Sequence, residues 1–131
     1  MQELIIEATK SSPRVHFDPV GHVLEISGES YPENAAKFYA PVFDWIGQYL
    51  AGLGEEPVTV NLTISYFNSS SSKALMNLFD VFDDACRIGR RITVNWRYDP
   101  ENETAQECGE EFKEDVCGLP FNLVACGPGQ P

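Results

Sequence analysis

Val58-Thr59-Val60-Asn61-Leu62-Thr63-Ile64-Ser65-Tyr66-Phe67-Asn68-Ser69-Ser70-Ser71-Ser72-Lys73 is the stretch on which the fold of this chain turns. In its first half Val58, Val60, Leu62, Ile64 and Tyr66 alternate with Thr59, Asn61, Thr63 and Ser65, the two-residue period of a strand with one buried face. From Leu75 the period changes. Leu75, Leu78, Phe79, Phe82, Ala85 and Cys86 recur at the spacing of an amphipathic helix, closed by Gly89. Four hydroxyls, Ser69 to Ser72, therefore stand at a strand-to-helix junction. There they can cap the helix, with Ser70 or Ser71 satisfying free N–H groups at about 1 kcal/mol. They can equally accept a phosphoryl group, because a helix N-terminus tolerates negative charge.

The same two periods organise the flanks. Leu4 to Ala8 reads as a short edge strand or a docked arm, and Arg14–Asp18 and His22–Ser27 read as a hairpin about Pro19-Val20-Gly21. Gly28 to Asn34 reads as a loop, with Asn34 or Ser30 available as an N-cap. Phe38, Tyr39, Val42, Phe43, Ile46, Tyr49, Leu50 and Leu53 lie at helical spacing within Ala35–Leu53, where Pro41 should kink the helix or delay its start. Ile92, Val94, Trp96 and Tyr98 form a second alternating strand, and Asp99-Pro100-Glu101 turns into a polar helix over Asn102–Glu114. Ala105, Cys108 and Phe112 mark the buried stripe of that helix. Phe121–Ala125 is a last short strand, and residues 126–131 are expected to form a flexible tail after a single domain over 1–125.

Strand, helix, strand, helix, strand in that order implies two right-handed parallel crossovers. The fold class is therefore α/β, a mixed sheet with helices packed on it. Parallel strands send their C-terminal loops to one edge, which gathers Glu29–Asn34, Asn68–Ser72 and Asp99–Asn102. Open α/β sheets carry their functional surface at that edge.

Composition narrows the function. At 131 residues the chain has length for one real core. Nine Lys and Arg against twenty Asp and Glu give a net charge of −11 with no basic stripe, which argues against direct binding to nucleic acid or an anionic membrane. Met1–Ala8 has neither a basic region nor a long apolar run, and no span suits a membrane, so a cytoplasmic location is expected. Glycosylation patterns at Asn61, Asn68 and Asn102 are accordingly read as chance matches. Cys86, Cys108, Cys117 and Cys126 include no C-x-x-C pair, so free thiols are expected rather than a metal site.

Catalytic motifs are missing. No G-x-S-x-G elbow precedes the serines, and Ser72-Lys73 lacks the glycines of a phosphate-binding loop, so no cofactor is implied. A serine nucleophile would have to recruit His16 or His22 from the early hairpin. The carboxylates Glu110, Glu111, Glu114 and Asp115 would suit a small hydrolase only if a cleft gathered them. Tyr31, Tyr66, Phe67 and Tyr98, near the shared loop edge, would instead suit a partner surface.

Four segments carry a family resemblance: Gly28-Glu29-Ser30-Tyr31-Pro32-Glu33-Asn34, Tyr66-Phe67-Asn68-Ser69-Ser70 with Lys73-Ala74, Trp96-Arg97-Tyr98-Asp99, and Gly109-Glu110-Glu111-Phe112-Lys113-Glu114-Asp115. In this order they resemble the SiaC family of bacterial regulatory phosphoproteins, related in fold to the STAS domains of anti-sigma-factor antagonists. The resemblance implies a non-enzymatic switch. Its acceptor, the residue after the junction Asn, would be phosphorylated by a kinase with a histidine-kinase-like ATPase fold and dephosphorylated by a PP2C-type phosphatase. The unmodified form would bind and activate a diguanylate cyclase, in cyclic-di-GMP signalling. The acceptor maps onto Ser69, where the family's namesake carries Thr. Tyr31, Pro32, Glu33, Asn34, Tyr66, Phe67, Asn68, Ser70, Lys73 and Tyr98 would form the partner surface. An anti-sigma-factor antagonist, whose final target is its kinase, is the alternative from the same fold.

Overall fold

In a computed structural model, which describes residues 1–126, the periodic segments become β1 (Leu4–Ile6), β2 (Arg14–Asp18), β3 (Val23–Ser30), α1 (Ala35–Gly52), β4 (Val58–Phe67), α2 (Ser69–Arg87), β5 (Ile92–Tyr98), α3 (Glu103–Asp115) and β6 (Phe121–Ala125). The strands form one sheet in the order β1-β2-β3-β4-β5-β6. β1, β2 and β3 pair antiparallel, whereas β3 to β6 pair parallel. The α/β mixed sheet expected from the periods is therefore present, with a third parallel crossover through α3. Residues of the expected tail beyond Cys126 lie outside the described residues. Cys126 itself is tied in, its N–H donating to the Tyr98 carbonyl at 2.7 Å.

Three successive right-handed crossovers that advance one strand at a time put all three helices on the same face. Burial agrees. Val15, Phe17, Leu24, Ile26, Val58, Val60, Leu62, Ile64, Ile92, Val94, Trp96 and Phe121 line the covered face and join the helices in one apolar core. The opposite face is polar. Across it Asn95 donates to Asn61 at 3.0 Å, and Asn122 donates to Asn95 at 3.1 Å. That ladder employs Asn61, and Asn68 and Asn102 cap helices, so each of the three glycosylation-like asparagines has a structural task.

In four places local details depart from the sequence expectation or settle an alternative it left open. β3 continues through Gly28 to Ser30, so the loop before α1 shortens to Tyr31–Asn34. Asn34, not Ser30, caps α1, accepting from the Lys37 N–H at 3.0 Å. α1 starts at Ala35, so Pro41 lies inside it on the exposed side and does not delay its start. α2 begins at Ser69, and its cap is Asn68 rather than Ser70 or Ser71, because the Asn68 side chain accepts from the Ser71 N–H at 2.9 Å.

The alternation of β4 also breaks. Gly28 pairs with Ile64 and Glu29 with Tyr66, leaving Ser65 as the extra residue of a bulge. Gly28 has φ of +116°, a conformation that side-chain-bearing residues rarely adopt. Past the bulge the phase inverts: Tyr66 is 54 % exposed, and Phe67 turns inward against Trp96 and Phe112. Tyr66 was expected to share a face with Val58 to Ile64, but the register of β3 against β4 decides otherwise.

Candidate functional site

β3, β4 and β5 end at Ser30, Phe67 and Tyr98, and each is followed within four residues by an asparagine that caps the next helix. Asn34, Asn68 and Asn102 accept from Lys37, Ser71 and Ala105 at 3.0, 2.9 and 3.1 Å. The three loops thus meet on one edge as their shared strand direction requires, and three helix N-termini present partial positive charge there. Asn102 also donates to the Ser65 carbonyl at 2.9 Å, joining the α3 loop to the bulge of β4.

The serine run is the centre of this edge. Ser69 and Ser70 are exposed in the first turn of α2, Ser72 is half-buried, and Ser71 is 0 % exposed. Ser71 is held below by a chain of hydroxyls. Ser30 donates to the Ser71 Oγ at 2.8 Å, and the Ser30 Oγ lies 2.6 Å from the Tyr39 Oη. Ser30 has one proton, which goes to Ser71, so Tyr39 is the donor in the second bond. Burial raises the pKa of Tyr39 and keeps that proton in place, although the bond to Ser30 partly offsets the rise.

Around the serines, Tyr31 and Tyr66 pack edge to face with ring centroids 5.6 Å apart and form an aromatic patch. Tyr31 also donates its N–H to the Ser11 carbonyl at 2.7 Å, which anchors the loop to the segment before β2. Pro32 is half-buried, while Glu33, Asn34, Lys37 and Lys73 are exposed. An open groove of about 880 Å³ runs between α1 and α2, lined by Glu33, Lys37, Phe43, Ser70, Lys73 and Asn77 among others. Tyr98 lies on the other side of β4, in a crevice of about 190 Å³ with Arg97, Asp99 and Asn102. The edge therefore unites Tyr31, Tyr66 and the exposed serines. Phe67 faces the core, and Tyr98 belongs to a neighbouring crevice.

Neither histidine reaches the serines. His16 bonds the Glu3 carboxylate at 2.7 Å, and His22 bonds the Tyr49 hydroxyl at 2.5 Å. His22 precedes β3, whose eight residues separate it from Ser30 by roughly 25 Å at ~3.3 Å per residue. Tyr49 there has its pKa pushed up to about 12, first by burial and then by the Glu56 and Asp18 carboxylates. Glu110, Glu111, Glu114 and Asp115 are exposed on α3, and Asp115 borders only a crevice of about 20 Å³. No cleft among the described residues gathers those carboxylates as acid–base chemistry needs.

Sequence reasoning missed the structural use of Ser30, Tyr39, Asp83 and Gly109. Asp83, 4 % exposed in α2, accepts from the backbone N–H groups of Gly118 at 2.7 Å and Cys117 at 3.1 Å, and from Arg87 at 3.4 Å. Burial opposes its ionisation, but these donors prevail and hold its pKa below the usual carboxylate value. At Gly109 a Cβ would stand 2.4 Å from the Trp96 ring and 2.8 Å from Leu123, so only glycine lets α3 approach the sheet this closely. A carboxylate or a glycine inside a helical pattern was the available signal, but its partners lie many residues away.

The family model for SiaC family regulatory phosphoproteins matches residues 6–126. The crystal structure of apo-SiaC from Pseudomonas aeruginosa is similar with a TM-score of 0.89 and 38 % identity, over 95 % of this chain and 100 % of that one. The activator SiaC in a crystal structure with the diguanylate cyclase SiaD, also from Pseudomonas aeruginosa, is similar with a TM-score of 0.88 and 38 % identity, over 94 % and 99 % of the two chains. An uncharacterized protein of Pseudomonas aeruginosa strain UCBPP-PA14 is 38 % identical over 125 residues, covering 95 % of this chain and 98 % of its own length. With a family match over nearly its whole length, this chain belongs to the SiaC family of regulatory phosphoproteins.

Proposed function

We propose that this protein is a non-enzymatic switch in which Ser69 is reversibly phosphorylated and the unphosphorylated form binds and activates a diguanylate cyclase. The carrying observation is the exposed Ser69 at the first position of α2, next to the exposed Tyr66 and its partner Tyr31. A similar chain, SiaC, occurs as the activator in complex with the cyclase SiaD, which supports the cyclase as partner over a sigma-factor regulator. The kinase with a histidine-kinase-like ATPase fold and the PP2C-type phosphatase complete the cycle. Their need for ATP and a phosphorylated substrate suits the cytoplasm.

The physical effect of modification would be local. A phosphate adds about −1.5 to −2 charge at neutral pH. At a helix N-terminus that charge meets free N–H groups and a favourable dipole, so α2 has no reason to melt. The added charge and bulk instead stand beside the Tyr31–Tyr66 patch, in a protein of net charge −11, and oppose docking of a partner shaped for a neutral hydroxyl. Tyr31, Pro32, Glu33, Asn34, Tyr66, Asn68, Ser70 and Lys73 frame that contact.

The test is a cyclase activation assay with purified protein. Unmodified protein should stimulate cyclic-di-GMP synthesis, Ser69→Ala should take no phosphate from the kinase, and Ser69→Glu should bind the cyclase more weakly by calorimetry. Undiminished phosphate on Ser69→Ala, located by mass spectrometry, would reject the acceptor. Equal affinity of Ser69→Glu would reject control of docking by charge.

A further inference from the structure

We infer that Ser30 and Tyr39 are positioning residues that select the acceptor within the serine run, by holding Ser71 out of reach and fixing the turn that presents Ser69. The inference rests on the phosphoacceptor reading above and deepens it. Four adjacent serines carry the same nucleophile, so chemistry alone cannot choose among them. Transfer makes an Oγ–P bond, breaks the bond from the γ-phosphorus to the bridging oxygen of ATP, releases ADP, and sends the serine proton to a base on the kinase. Any accessible serine hydroxyl satisfies that balance.

Geometry narrows the choice. Ser71 is tied at both ends: its N–H donates to the Asn68 Oδ1 at 2.9 Å, and its Oγ accepts from Ser30 at 2.8 Å. Ser30 in turn lies 2.6 Å from the Tyr39 hydroxyl. Ser30 ends β3, Tyr39 lies in α1 and Ser71 in the first turn of α2, so the chain of hydroxyls locks three elements together at the turn that carries Ser69. All three side chains are essentially buried, at 0, 1 and 0 % exposure. A buried hydroxyl without a partner is costly, which couples the three hydroxyls to one another. With Ser71 withdrawn and Ser72 half-buried, the exposed choices are Ser69 and Ser70. Successive helix residues point about 100° apart. Ser70 lines the groove between α1 and α2, and Ser69 therefore projects to a different side of α2.

The consequence is specific. Ser30→Ala removes the central link, leaving the Tyr39 hydroxyl and the Ser71 Oγ without their partner. Tyr39→Phe removes one end and nearly preserves volume. Wild type, both variants and the cognate kinase with ATP would be compared by initial rate and by phosphosite mapping, with amide hydrogen exchange across residues 69–73 as a kinase-independent readout. Wild type should carry phosphate on Ser69. Ser30→Ala should lose at least about tenfold in rate there, because small misplacement of a reacting group is costly, and phosphate should appear on Ser70 or Ser71. Tyr39→Phe should shift the distribution in the same direction to a smaller extent, and exchange across 69–73 should quicken in both. Folded variants with wild-type rate, site distribution and exchange would overturn this inference alone. Absence of phosphate on Ser69 in the wild-type protein would overturn the acceptor reading and this inference with it.

Discussion

The first turn of α2 and the middle of α3 are both polar in sequence, but they use their polarity in opposite ways. At α2, Asn68 and Ser71 satisfy the helix end from within, and Ser69 and Ser70 are left facing outward. At α3, acidic side chains face outward while the backbone at Gly109 presses onto Trp96, whose indole N–H donates to the Ala105 carbonyl at 2.9 Å. Trp96 and Phe112 pack edge to face at 5.3 Å to complete that seat. Both segments belong to the four that carry the family resemblance. One leaves two hydroxyls exposed at a helix end, and the other allows close approach of helix to sheet. A family motif can therefore mark packing as readily as chemistry.

This contrast predicts a graded series of stability effects. The largest belongs to Gly109→Val, which places atoms where Trp96 and Leu123 already stand and should cost about 3 kcal/mol in denaturant unfolding. A loss within experimental error would mean that α3 does not rest on Trp96 as described.

Asp83→Asn comes next, at about 2 kcal/mol, because α2 then loses its charged acceptor for the Cys117 and Gly118 N–H groups that lead into β6. Its pH dependence sharpens the point. The folded pKa lies below the unfolded value of 3.8, so the contribution is present above 3.8 and is lost as pH falls through the folded value. The stability gap between wild type and Asp83→Asn should therefore be wide at neutral pH and close on acidification below 3.8. A gap independent of pH would remove the carboxylate from this role.

On the α2 side, Asn68→Ala should cost about 1 kcal/mol, the ordinary loss of an N-cap, measured by thermal unfolding. The smallest effect is expected for Ser69→Ala, within about 0.5 kcal/mol of wild type, since its side chain is exposed. That same substitution should eliminate phosphorylation. The comparison breaks if Ser69→Ala proves as destabilising as Asn68→Ala, because the Ser69 hydroxyl would then be structural.

Much of this was legible before the structure. Regular alternation over Val58–Ile64 and three-four spacing from Leu75 to Cys86 announce a strand and a helix, since each period reflects local backbone geometry and one buried side. Element order then brings the loops after β3, β4 and β5 to one edge, and the edge appears as expected. Asn34 was among the readable caps, although the assignment of Ser70 or Ser71 as caps of α2 failed because the helix begins earlier, at Ser69, with Asn68 accepting from the Ser71 N–H.

Residue periodicity and element order fix the set of elements, the parallel run from β3 to β5 and the place of the serine run on the shared loop edge. Which side chains of that edge face outward depends on contacts between distant segments. The bulge at Ser65 sends Tyr66 out and Phe67 in, and the Tyr39–Ser30–Ser71 chain withdraws one serine while leaving Ser69 exposed. The reason is physical: periodicity is set by the dihedral angles of neighbouring residues, whereas register and buried hydrogen bonds are set by partners that meet only when distant segments fold together.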